Sequence, residues 1–167
     1  MPTLVPPALR APRYRVHQRA IWLWATRAAA GWIAVLAVEV LVLIVGEHDI
    51  AGWHYAVVAA TAALALAHVT VMPQWRYRVH RWELTEQAAY TQSGWFVQER
   101  RIAPVARIQT VDVHRGPFEQ VFRLANVTLT TASAAGPLKI HGLDAATANH
   151  IVEDITARIR AADGDAT

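Results

Sequence analysis

The stretch Ala28–Val45, AAAGWIAVLAVEVLVLIV, and the stretch Trp53–Met72, WHYAVVAATAALALAHVTVM, decide how the remaining sequence is read. At about 1.5 Å of rise per residue they reach roughly 27 and 30 Å as helices, enough for a hydrocarbon core of about 30 Å. Only the polar connector Gly46–Gly52, GEHDIAG, separates them, so the second must run back antiparallel to the first. The pair reads as a transmembrane hairpin over residues 20–73, with helices over about 20–45 and 53–72.

Charge selects the side. Arg10, Arg13, Arg15, Arg19 and Arg27 precede the first apolar stretch, and Arg76, Arg78 and Arg81 follow the second. The connector holds Glu47 and Asp49 and no Lys or Arg, so the positive-inside rule places both termini in the cytoplasm of a plasma (inner) membrane. Trp22, Trp24, Trp75 and Tyr77 fall at the inner ends and Trp53 and Tyr55 at the outer end, where amphipathic rings are enriched. A cleaved signal peptide fits poorly, because the polar lead before Ala28 is long and a second span follows at once.

The remaining chain holds one small domain. Pro73-Gln74 is the expected boundary, since proline ends helices and the apolar fraction drops there. This divides the sequence into a flexible basic arm over 1–19, the hairpin, a cytoplasmic domain over 74–161 and a disordered tail over 162–167. The chain has no cysteine, which excludes disulfides and thiolate metal sites.

Between Gln74 and Gly142 the pattern has a period of two. Val111 and Val113 alternate with Asp112 and His114, and Val127, Leu129 and Thr131 with Asn126, Thr128 and Thr130. Turn signals at Thr85-Glu86-Gln87, Ser93-Gly94, Ala103-Pro104, Arg115-Gly116-Pro117 and Ala135-Gly136-Pro137 punctuate the strands, which implies an antiparallel sheet. Pro117–Phe122 reads as one short helix opened by a first-turn proline. After Asp144, a cap candidate, Ala148, Ile151, Val152, Ile155 and Ile159 form the stripe of an amphipathic helix that plugs one end of a bent sheet.

Two membrane helices, the junction Pro73–Leu84 (PQWRYRVHRWEL), Ser93-Gly94-Trp95, Arg107–Val113 (RIQTVDV), Gly116-Pro117 and Thr130–Ser133 (TTAS) occur together in this order. The chain resembles, over nearly its whole length, the bacterial pleckstrin-homology-like membrane proteins of the YdbS type. The resemblance implies an α+β membrane protein, in which the hairpin is followed by a bent antiparallel sheet or barrel closed by a C-terminal helix. It implies no catalytic activity. In lipid-binding pleckstrin-homology domains a basic first hairpin grips phosphates, whereas the corresponding turn here is taken to be Leu84–Ala88 with Glu86 and no base. From Pro73 onward eleven Lys or Arg face ten Asp or Glu, so the domain recruits anionic lipid weakly. The arm, through Arg10, Arg13, Arg15 and Arg19, is the candidate headgroup contact, besides its role as a topology signal.

No nucleophile elbow, phosphate loop or H-E-x-x-H pattern is present, so the chain reads as a non-enzyme without cofactor. Asp112 and His114 share a strand face and could be joined by His141 or His80, but the spacing is that of a solvated face and no metal is expected. Nucleic acid is not expected either, because the arginines cluster at the membrane. Glu39 is the costly residue, since an acid at that depth opposes insertion by about 2.5 to 3.5 kcal/mol. It needs a partner, and antiparallel helices bring Thr61 to its depth while leaving His68 roughly 12 Å too far inward. Ala30 and Ala34, and Ala59, Ala63 and Ala67, form small-residue faces, one expected to close the hairpin and one to meet a partner. These features point to a membrane-anchored assembly module whose partners are membrane lipids and a second copy or second membrane protein of the same family. A lipid- or small-ligand-sensing domain is the alternative.

Overall fold

The computed structural model of the chain describes residues 11–46, 52–133 and 136–164. Helix α1 spans Arg19–Val45 and helix α2 spans Gly52–Val79. Of their most apolar windows, 0% and 6% respectively is buried within the chain, so these faces are left for lipid or a partner. The helices meet along Trp32, Leu36, Glu39 and Leu43 on α1 and Val58, Thr61, Ala65 and His68 on α2, the positions that lose exposure. Their spacing of three and four residues is that of a coiled-coil seam. Neither alanine face closes the hairpin, contrary to expectation: Ala30, Ala34, Ala59, Ala63 and Ala67 are all exposed. The reason is the polar groups, which find no hydrogen-bonding partner in lipid and therefore take the seam.

Helix α2 does not end at Pro73. It continues six residues further, to Val79, with Pro73 buried inside it. Proline removes one helical hydrogen bond and crowds the preceding turn, yet the segment beyond it is fixed by tertiary contacts. The Trp75 indole donates to the Trp95 carbonyl at 3.1 Å, and the Arg76 guanidinium stacks 4.6 Å over the Trp24 ring.

Among the described residues the domain has seven strands in two antiparallel sheets. Strands β1 (Tyr14–Arg15), β2 (Arg81–Leu84), β3 (Ala88–Gly94) and β4 (Gln98–Pro104) pair in sequence order. After a 3-10 turn at Val105–Arg107, β5 (Ile108–His114), β6 (Leu124–Thr131) and β7 (Leu138–Asp144) form the second sheet. A short helix α3 (Pro117–Val121) joins β5 to β6, and α4 (Ala145–Gly164) follows β7. Helix α4 packs against the second sheet, where Ala148, Ile151 and Ile155 join Val127, Leu129, Ile140 and Leu143 in the main core. Asp144 caps it, accepting from the Ala146 N–H at 3.1 Å.

Three expectations about boundaries change. The arm is not free from Tyr14 onward, because Tyr14 pairs with Trp82 and Arg15 with Arg81. Val16 is buried, the His17 N–H donates to the Gly142 carbonyl at 2.8 Å, and the Arg13 N–H donates to Glu83 at 3.0 Å. The membrane hairpin is therefore inserted between β1 and β2 rather than placed before a separate domain. It, and not Leu84–Ala88, is the first connection of the sheet. A two-residue strand carries no periodicity to read, which is why composition alone made this segment an arm. At the other end α4 continues through Gly164, and only 165–167 lie outside the described residues. Ser93 and Gly94 close β3, and the turn itself is Trp95-Phe96-Val97.

Candidate functional site

The joint between hairpin and domain is the most elaborated region of the molecule. Val16, Ala20, Leu23 and Trp24 pack with Leu124 of β6 as a second core. Gly142 of β7 has φ +72°, and a Cβ placed there would lie 2.9 Å from the Ala20 Cβ. Glycine thus supplies both the left-handed backbone and the room for α1 to rest on the sheet. Beside this contact lies Glu119 of α3, 3% exposed. Arg27 Nη2 donates to both its oxygens, at 2.9 and 3.0 Å, and Asn126 Nδ2 donates to Oε1 at 3.0 Å. Asn126 Oδ1 in turn accepts the Gly142 N–H at 3.0 Å. Burial by itself raises the Glu119 carboxyl, but its own backbone N–H, Asn126 and Arg27 outweigh that and hold it below the ordinary carboxylate value.

On the α2 side of the joint a cavity of about 390 Å³ opens between the helix and the β3–β4 hairpin. His68, Met72 and Arg76 of α2 and His80, the residue just past its end, line it at four-residue spacing, with Trp95 and His141 opposite. Among the described residues no carboxylate pairs with Arg76, and Glu119 is taken by Arg27 and Asn126. The ring of Trp24 lies against both Arg76 and His80, the latter at 5.1 Å. His80 Nδ1 sits 2.8 Å from the Arg76 carbonyl, which can only accept, so the proton is on Nδ1 and Nε2 is bare. Burial, and then the Arg76 charge, lower His80 from 6.5 to about 4. His141 is lowered by burial, then by Arg76 and Lys139. A cavity lined by one permanent cation, three imidazoles and no acid is chemically suited to an anion. A neighbouring cleft of about 360 Å³ shares Ser93 and His141 with it and adds Arg101, Lys139 and the carboxylate of Glu99, which lies 3.5 Å from Arg101.

Within the hairpin, Thr61 Oγ1 donates to Glu39 Oε1 at 2.8 Å, while Glu39 Oε2 is enclosed without a partner among the described residues. His68, too far inward for Glu39, instead accepts from the Trp32 indole at 2.9 Å. The arm arginines have local contacts. Arg13 lies over Tyr14 and Arg15 over Tyr77, each 5.8 Å from the ring centre, and Arg19 reaches Asp144 at 3.6 Å. Arg10 lies outside the described residues. Asp112 accepts from Thr110, and neither it nor His114 lines the cavity that holds His80 and His141. Among the described residues no three potential ligands gather around a metal position. Reading the sequence missed the cavity, although His68, Met72, Arg76 and His80 recur every four residues and could have marked one helical stripe.

A family model described as Bacterial PH domain matches residues 20–159. The chain belongs to that family. It is 33% identical over 101 residues to the UPF0699 transmembrane protein YdbS of Bacillus subtilis strain 168, which covers 60% of this chain and 62% of that relative. No solved structure matches. The chain is thus a bacterial PH-domain membrane protein whose two apolar helices interrupt the domain.

The depressed His80 value makes stability depend on acid. Between pH 6.5 and about 4 the unfolded chain binds a proton at this position and the folded chain does not, so stability is complete above 6.5 and falls as pH drops through that window. The full effect is on the order of 3 kcal/mol. The melting temperature of the detergent-solubilised protein is expected to fall between pH 7 and pH 4.5, and to fall distinctly less in His80→Gln. Parallel curves for the two proteins would refute this assignment.

Proposed function

We propose that this bacterial PH-domain protein is a non-enzymatic assembly module of the plasma (inner) membrane, with both termini in the cytoplasm. Its hairpin joins a second copy or a second membrane protein of the same family. The observation that carries this reading is Glu39. Thr61 satisfies one carboxyl oxygen, and the other has no hydrogen bond from the described residues in the apolar layer, where water does not compete for it. A small rotation of the side chain would offer that oxygen to a neighbouring helix. The exposed faces Ala30–Ala34 and Ala59–Ala63–Ala67 give such a helix room for close approach, and none of the described residues covers them. The arginine distribution supports cytoplasmic termini.

Cross-linking in membranes over a range of expression levels tests the reading. Interhelical hydrogen bonds in membranes contribute about 0.6 to 2 kcal/mol, so Glu39→Ala should lower the cross-linked fraction by roughly threefold to thirtyfold in association while insertion is retained or eased. Unchanged cross-linking would mean that Glu39 serves the hairpin alone.

A second reading, ligand sensing, is favoured by Arg76, which faces the cavity without a carboxylate partner among the described residues. Inorganic phosphate titrated into the purified protein should then raise the wild-type melting temperature and leave that of Arg76→Gln unmoved. Equal responses would remove the sensing reading.

A further inference from the structure

Among the described residues outside the membrane helices, the three most exposed large apolar ones are Phe96 at 85%, Val97 at 81% and Val121 at 77%. Isolated exposed apolar residues are ordinary, and a chance scatter would spread them over all connections. These instead occupy two connections, the β3–β4 turn and helix α3, where Trp95 and Phe118 are also exposed, at 40% and 42%. Each segment is fastened to a different membrane helix. The Trp95 carbonyl accepts from Trp75 of α2 and its ring lies 6.0 Å from that of His68. In α3, Glu119 is held by Arg27 of α1, whose guanidinium also lies 5.6 Å from the Phe118 ring centre.

Depth follows from the helices. The Trp32–His68 hydrogen bond sets these two residues level. Arg27 lies five residues inward of Trp32, about 7.5 Å at 1.5 Å per residue, and Trp75 seven residues inward of His68, about 10 Å. Trp95 therefore sits between the level of His68 and that of Trp75, where an apolar stretch gives way to Arg76 and Arg78. Helix α3 sits at the level of Arg27. These are the depths of the acyl boundary and the headgroups of the inner leaflet. The charges flanking α3 match that placement, because Arg115 and Arg123, just before and after it, are exposed.

We propose that the domain rests on the inner leaflet on two apolar feet, the turn Trp95-Phe96-Val97 beside α2 and the α3 residues Phe118 and Val121 beside α1. The occupant of both surfaces is lipid. With a foot on either side of the hairpin, the domain is held at a fixed tilt and cannot swing on a tether, and the mouth of the Arg76 cavity is kept at headgroup level. The inference is independent of whether the hairpin assembles with a partner.

The absence of native cysteine makes the test direct. Full-length Phe96→Cys, Val121→Cys and, on the β2–β3 turn at the far end of the sheet, Glu86→Cys are labelled with a small fluorophore. They are reconstituted in phosphatidylglycerol and phosphatidylethanolamine vesicles containing lipid spin-labelled near the headgroup. Quenching is expected to be several-fold stronger at positions 96 and 121 than at 86, and independent of protein density. Quenching at 96 without quenching at 121 would overturn the two-footed seating. Weak quenching at both would place them in water and overturn it altogether. Shielding that grows with the protein-to-lipid ratio would assign the surfaces to a second copy and overturn it as well. The labelled cysteines sit on exposed side chains, and unchanged melting temperatures will establish that each variant is folded.

Discussion

Glu119 is a carboxylate withdrawn from water beneath a membrane helix, and the rest of the architecture depends on its being satisfied. Burying an acid costs several kcal/mol unless donors replace water, and here the donors come from three elements. Arg27 arrives from α1, Asn126 from β6, and α3 supplies the backbone N–H of Glu119 itself. Arg27 is itself nearly half exposed, so the ion pair alone stabilises little. Its consequence is geometric: the carboxylate is satisfied only while α1 lies against the second sheet. Asn126 relays the constraint to Gly142, the residue whose missing side chain allows Ala20 to touch β7. The polar contact and the close apolar contact require the same placement of the helix.

That placement explains why the first strand lies before the hairpin. With α1 docked on β7 and α2 running past Pro73 onto β2, the residues entering the membrane are brought beside those leaving it, and Tyr14–Arg15 complete the edge of the first sheet. The hairpin is part of the domain's connectivity. A fragment beginning at Gln74 would lack β1, Val16, Leu23 and Trp24, and with them most of the second core.

Much of this was legible in the sequence because long periodic segments speak for themselves. The two spans, the β6 alternation of Val127 and Leu129 and the stripe of α4 each repeat a pattern over several residues, the short helix is marked by the first-turn Pro117, and each lies where its signal places it. The Glu39–Thr61 contact was legible too, since antiparallel helices of known rise leave few candidates at one depth. The strand Tyr14–Arg15 was not, because two residues make no pattern and their pairing partner lies beyond the whole hairpin. Pro73 misled by its ordinary meaning, since tertiary contacts beyond it outweigh one lost hydrogen bond. The Arg76 cavity was hidden because its walls come from α2, β3 and β7, which only the fold brings together. His80 and His141 were noticed as possible metal ligands, yet what they share in the structure is a guanidinium and no carboxylate.

The account stands on the claim that membrane hairpin and PH domain are one interleaved unit, with β1 paired to β2 across the intervening helices. The direct measurement is thiol pairing in native membranes. Arg15→Cys and Arg81→Cys face each other in the β1–β2 register, and directly opposed residues of antiparallel strands are about 4.5 to 5.5 Å apart at Cα, within disulfide range. Mild oxidation of the double variant should abolish labelling of both thiols by a maleimide, reversibly by reductant, while each single variant remains labelled. Labelling of the double variant as complete as that of the singles would show that the segment before the hairpin is a free arm, and would contradict the interleaved architecture.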